Sequence, residues 1–315
     1  MKYISVKEAS KKWGISERRV RILCSENRID GVTKSSWAWH IPSNAPKPSD
    51  GRIIRHIKNI DLRVNSINFK NLIDRHEQFN KIISNQNKYL SYFDDSVNRF
   101  LLMALSQENL EESDILRVLN NEYVPSISYS TQLIIINAKS IIVNCFKQTG
   151  YGPILPSYSK ADPFLSNSRL REINDCLYKG VDDYFVSKYR DRPLTTTTSL
   201  EEKEVDVAMQ IETLIFQYES EWESLNSLVK ATFMFSQLLK IQPFLKHNFL
   251  FASIIFAIIL LEGHYPLAII PVDLIQELKA NLTLTLKRGN YSNLVSMFEV
   301  SLIKELDSLI DINEI

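Results

Sequence analysis

From Phe100 to Leu309 apolar residues recur three and four positions apart almost without a break, the spacing that turns one face of an α-helix toward a core. The pattern divides into segments at about 111–119, 129–147, 168–186, 202–219, 224–241, 247–262, 271–286 and 291–309. Eight helices with few strand signals predict an all-α domain over 99–315. One stretch departs from the pattern, "KYRDRPLTTTTSLEEKEV" at 188–205. Its threonines favour extended backbone and Pro193 suits a strand edge, so a small β-hairpin flap over 188–200 is expected, with an ordinary surface loop as the alternative. Upstream, over 53–98, the apolar positions thin out to Ile57, Ile60, Leu62 and Val64, then Leu72, Ile73 and Phe79. That modest amphipathicity predicts a helical connector, or a segment that pairs with a second copy.

The first 41 residues carry a different pattern. In "YISVKEASKKWGISERRVRILCSENRIDG" Val6, Ala9 and Trp13 share one helical face, Gly14 permits a tight turn, Ile15 packs inward, and Ser16 suits the N-cap of a second helix. Val20, Leu23 and Cys24 of that second helix face the core. Glu17, Arg18, Arg19 and Arg21 are left toward solvent near its start, where a recognition helix presents side chains to a major groove. "GVTKSSWAWHIP" then alternates as a hairpin does, with Lys34 near the tip and Trp37, Trp39 and Ile41 available to cover the helices. "PSNAPKPSDGR", 42–52, has the composition of a linker.

Charge sharpens this division. The chain is neutral overall, but residues 1–52 hold eleven Lys plus Arg against five Asp plus Glu, a surplus of six that the remainder balances. A basic head on an acidic body points to a polyanionic partner. With 315 residues and 44% hydrophobic content the chain buries a sizeable core in two domains, or in one domain with an appendage. Eight glycines and eleven prolines argue against a β-sandwich or a disordered chain. Cys24, Cys145 and Cys176 are odd in number and far apart, which fits plain core thiols in a reducing cytoplasm better than disulfides or a zinc site. The chain opens without a leader pattern, and its longest apolar run, Phe249 to Leu261, is shorter than the roughly 20 residues that a bilayer requires. A cytoplasmic protein without a membrane partner is the expectation.

The head resembles the winged helix-turn-helix of the MerR and excisionase group of DNA-binding proteins, on "SVKEASKKWGISERRVRIL" and the "WAWHIP" exit, about fifty residues in all. That resemblance implies double-stranded DNA as partner, with Arg18, Arg19 and Arg21 as base-edge or phosphate contacts and Lys34 on the backbone. A helical cap with solvated arginines is the competing account.

The body resembles the Fic family over roughly residues 100–309, on "RLREINDCLYKGVDDYFVSKYRD", the flap, and "SLNSLVKATFMFSQLLKIQPFLKHNFLFASIIFAIILLEGHYPLAIIPVD". Members of that family transfer AMP from ATP to a protein hydroxyl through the motif H-P-F-x-[DE]-G-N-G-R-x-x-R. The resemblance implies that its histidine is the proton acceptor, its acid the magnesium holder, its glycines and asparagine an anion hole at a helix start, and its arginines the phosphate grip. Here Gln242 stands at the histidine, Lys246 at the acid, His247 and Phe249 at the glycines, and Leu250 and Ser253 at the arginines. Pro243, Phe244 and Asn248 alone match. An amide has no basic nitrogen near neutrality, a lysine repels magnesium, and side chains in place of glycine obstruct close approach of a phosphate. His247 is placed where the anion hole would be, which is the wrong reach for a substitute base. Many Fic proteins also carry an inhibitory helix, [ST]-x-x-x-E-[GN], whose glutamate pairs with the last motif arginine. "ALSQEN" puts Glu108 and Asn109 in that register with Ala104 in place of the hydroxyl residue, and Ser253 stands where the glutamate's arginine partner would be, so clamp and clamped group are lost together.

The function that follows is a DNA-binding transcriptional regulator with a catalytically inactive Fic-like body used for dimerisation, sensing or partner docking. It needs no catalytic residue, metal or cofactor. A homodimer is expected, because one small head makes few contacts with DNA. The alternatives are a Fic-type nucleotidyl or phosphoryl transferase using ATP and magnesium with a divergent centre, and an interaction module whose flap at 188–200 adds a strand to a protein partner.

Overall fold

The computed structural model describes residues 3–25, 29, 31–35, 38–43, 45, 69–82, 86–146, 165–181, 188–191, 194 and 206–314. The chain divides into two units, Met1–Asn59 and Ile60–Ile315.

The first unit runs β1 (Tyr3–Ile4), α1 (Val6–Trp13), α2 (Glu17–Ser25), β2 (Thr33–Ser35) and β3 (Ala38–Pro42), with antiparallel strands in the order β1-β3-β2. The strand β1 is absent from the sequence expectation, since two residues are too few to show alternation; it exists because Tyr3 and Ile4 pair with Pro42 and Ile41. Ser5 caps α1, accepting from the Glu8 N–H while the Glu8 carboxylate accepts from the Ser5 N–H at 2.8 Å. Gly14 closes α1 with φ of 63°, a left-handed turn that glycine adopts without a Cβ penalty. Ala9, Trp13, Val20, Leu23, Cys24, Ile29, Ile41 and Ala45 form the core, with Ile15 and Trp39 packed on it. Packing thus continues past β3 to Ala45, and Lys12 Nζ donates to the Ser43 carbonyl at 2.7 Å.

The second unit contains α3 (Lys70–Ile82), α4 (Gln86–Ala104), α5 (Glu112–Leu119), α6 (Tyr129–Phe146), α7 (Asn167–Leu177), α8 (Val207–Phe216), α9 (Ser227–Ile241), α10 (Asn248–Glu262), α11 (Ile275–Arg288) and α12 (Ser292–Glu314). The fold is mainly α, as the hydrophobic period predicts. Two helices differ from it. The helix expected over 168–186 stops at Leu177, where Asn137 Nδ2 takes the Leu177 and Lys179 carbonyls and Gly180 turns the chain at φ of 79°. The helix expected over 202–219 begins at Val207 behind the Asp206 cap, and its end widens into a π turn, Gln217–Glu221.

Apolar on every side, α10 is buried from Leu250 to Leu261 and packs against α9, α6 and α4. Its one buried hydroxyl, Ser253 Oγ, donates to the Phe249 carbonyl at 2.9 Å, and Thr232 and Ser236 on α9 likewise satisfy themselves on carbonyls one turn back. Phe235 sets three aromatic edges against Phe249, Phe256 and Phe298. At the rim of this core, Arg99 on α4 donates to Glu305 on α12 at 2.8 Å while Tyr92 donates to the same carboxylate at 2.7 Å. Cys145 is buried, but Cys176 is exposed on α7, so it is no core thiol. No helix among the described residues is long and apolar enough to cross a membrane.

Candidate functional sites

The loop between α9 and α10, residues 242–247, is the first candidate. Both of its ends take the left-handed conformation without glycine: Gln242 at φ of 48° and His247 at φ of 55°. Each such residue costs about 1–3 kcal/mol, which the surrounding contacts offset here. Asn248 accepts from the Phe244 N–H at 3.0 Å and donates to the Phe244 carbonyl at 2.7 Å. Phe244 is buried between the rings of Tyr189 and Phe251. Pro243, Phe244 and Asn248 are therefore the residues that shape and pack the loop.

Arg190 completes the brace. Its Nε donates to the Gln242 carbonyl at 2.8 Å, its Nη2 to the Ile241 carbonyl at 3.1 Å, and its N–H to the Pro243 carbonyl at 2.9 Å. A guanidinium there both caps the last carbonyls of α9 and meets the negative end of the helix dipole. Residues 188–191 and 194 are the described part of the expected flap; the rest of 188–200 lies outside the described residues. Sequence reasoning did not single out Arg190, because nothing local marks a residue whose partners lie fifty positions away.

The charged groups of the loop are arranged in an unexpected way. His247 Nδ1 lies 2.8 Å from Glu108 Oε1 without hydrogen-bond alignment, and the Tyr178 ring stands 5.9 Å away. Burial pushes the Tyr178 hydroxyl well above the usual phenol range, with the Glu108 charge adding to it, so it stays protonated. Glu108 sits just beyond the end of α4, not on a helix, and the chain turns at Asn109 with φ of 52°. Ala104, the last residue of α4, is fully buried. Ser253 is fully buried and spends its hydroxyl on its own helix, so it offers Glu108 no partner. Glu108 has instead kept a basic neighbour, His247, in the same loop.

Leu250, like Ser253, is fully buried, so both belong to the core. Gln242 is half-buried as the cap of α9, and Lys246 is exposed. Among the described residues no three His, Cys, Asp or Glu side chains gather as a metal site would need.

The second candidate is the exposed face of α2. At 100° per residue, Val20, Leu23 and Cys24 point to the core, Arg18 points opposite to them, Arg21 and Ser25 lie within a quarter turn of Arg18, and Arg19 falls on the flank. Burial agrees: Arg18, Arg21 and Ser25 are exposed and Arg19 is half-buried. Arg21 Nη2 donates to Glu17 Oε2 at 2.9 Å, while Arg18 makes no ion pair among the described residues. On β2 Lys34 is exposed, with Nζ 5.2 Å over the Trp39 ring, and Ser35 Oγ lies 2.7 Å from His40 Nε2. Trp37 is outside the described residues. The structure therefore separates the three arginines, which the sequence left unranked.

The arrangement of helices defines the class of the chain. No protein-family model and no curated protein matches the sequence. Solved structures do match. A Fic-domain-containing signalling protein from Bacteroides thetaiotaomicron superposes with a TM-score of 0.61 at 15% identity, covering 78% of this chain and 97% of that one. Fic-1 from C. elegans gives 0.59 at 16% identity, over 83% of this chain and 75% of that one. A Fic family protein from Desulfovibrio desulfuricans gives 0.56 at 13%, over 79% and 77%. The chain thus has the fold of Fic-domain proteins.

Proposed function

We propose that this chain is a DNA-binding regulator whose Fic-like body does no nucleotidyl transfer. The observation that carries the proposal is the state of the α9–α10 loop. It is braced by Asn248 and Arg190. Yet Leu250 and Ser253, where the family resemblance calls for arginines, are sealed in the core. Proton acceptor, magnesium-holding carboxylate and guanidinium grip are replaced together, and each supplies orders of magnitude in rate where it exists. The Glu108 carboxylate beside His247 further sets a negative charge near the start of α10, which disfavours a phosphate there. The biology then falls to the basic head: Arg18 and Arg21 on the outward face of α2, Lys34 on the wing and Arg19 at the flank. The body would double the head as a homodimer, sense a signal or dock a partner.

The test is duplex-DNA binding against salt for wild type and the Arg18, Arg19, Arg21 triple-alanine variant. The expected result is weaker binding by the variant and a log–log salt slope shallower by up to about 3, one counterion per lost phosphate contact. Equal, weak binding by both proteins would sink the proposal. The transferase alternative is tested by titrating ATP with magnesium in a calorimeter, where a stoichiometric signal would favour it.

A further inference from the structure

We propose that Glu17 and Arg21 act as one base-reading unit, with Glu17 as the residue that sets the specificity of the head, and that Arg18 supplies affinity without discrimination. The inference rests on the DNA-binding reading above and goes beyond it by dividing the labour among the basic residues. The division begins from geometry. Arg21 is exposed but not free: its guanidinium is held at 2.9 Å by Glu17 one turn earlier on α2. Arg18 projects from the same outward face with no such tether.

Stability does not explain the pair. Both side chains are largely in water, 57% and 41% exposed, and such helix-surface pairs contribute little. Its effect on DNA is larger. A carboxylate in the first turn of a recognition helix, at the flank of its outward face, repels the phosphates beside it, which lowers binding to duplex of any sequence. The same carboxylate holds the arginine fork in one orientation, so the cost of ordering it on a guanine edge is already met. Arg pairs with O6 and N7 of guanine, and Glu accepts from the N4 amino group of cytosine. The backbones of residues 17 and 21 are about 6 Å apart along the helix axis but their charged ends meet at 2.9 Å, so both reach the same or neighbouring base-pair steps. The ligand is therefore duplex DNA in which a guanine under Arg21 has a cytosine within two base pairs under Glu17.

The experiment is selection from a randomised duplex pool with the full chain, comparing wild type, Glu17→Ala, Arg21→Ala and Arg18→Ala, each followed by affinity measurement on the selected site and on an unrelated duplex. The expected result is a wild-type motif with such a G and C. Glu17→Ala and Arg21→Ala should both narrow the ratio of specific to unrelated affinity by about tenfold, Glu17→Ala doing so while its binding to the unrelated duplex rises. Arg18→Ala should weaken both duplexes alike. If Glu17→Ala keeps the wild-type motif and ratio, the pair is ordinary helix-surface chemistry and the inference is wrong. If wild type enriches no duplex at all, the DNA-binding reading itself fails and this inference with it.

Discussion

Individual residues in the α9–α10 loop carry its whole shape, so they respond sharply to substitution. Asn248 closes the turn with both its oxygen and its nitrogen. Replacing it by alanine leaves a backbone N–H and carbonyl without partners beside two strained residues, and should cost about 2 kcal/mol in denaturant unfolding. Arg190→Ala removes the donors on the Ile241 and Gln242 carbonyls and should cost about 1–2 kcal/mol in the same measurement. Glu108→Gln removes the charge beside His247 without opening space. Because Leu250 and Ser253 remain core residues, calorimetry should detect no magnesium–ATP binding by that variant, and a stoichiometric signal would point to a nucleotide site that Glu108 had been closing.

At the scale of one element, α10 decides the stability of the second unit. Its all-round apolar sequence can settle only in the centre, where Phe256 meets Phe235 and Phe298. Phe256→Ala should cost about 3–5 kcal/mol by chemical denaturation, from lost burial plus the cavity left behind. The element also needs its exit. A Cβ on Gly263 would meet Ser227 Oγ and come within 2.6 Å of Ser227 Cβ, at the point where the start of α9 passes the end of α10. Gly263→Ala should therefore lower stability by about 1–3 kcal/mol, and Ser227→Gly in the same chain should restore much of it.

Across the whole second unit, distant segments are tied by polar contacts whose pH dependence can be measured. His76 on α3 stacks on Tyr265 at 3.9 Å and donates from Nε2 to the His264 carbonyl at 2.9 Å. Burial lowers its pKa from the ordinary histidine value of 6.5, so the folded state takes up the proton less readily than the unfolded chain. The stability it contributes is present above pH 6.5 and is lost as pH falls from there toward the depressed folded value. Thermal unfolding of wild type and His76→Asn between pH 8 and 5 should show their difference in Tm shrinking toward the acid end. The helical body, the basic head with its turn at Gly14 and cap at Ser16, and the amide and ammonium side chains of Gln242 and Lys246 were all open to inspection in the chain, because periodicity, capping and functional-group chemistry are local properties. Pro243, Phe244 and Asn248 as the packing residues of the loop were open in the same way. What joins positions far apart was not: the Arg190 brace, the Glu108–His247 contact, the two-residue strand β1 and the burial of Ser253 each depend on a partner that sequence spacing does not encode. Only folding brought those partners within bonding distance, and with them it decided which charges on this chain are held and which are left to meet a ligand.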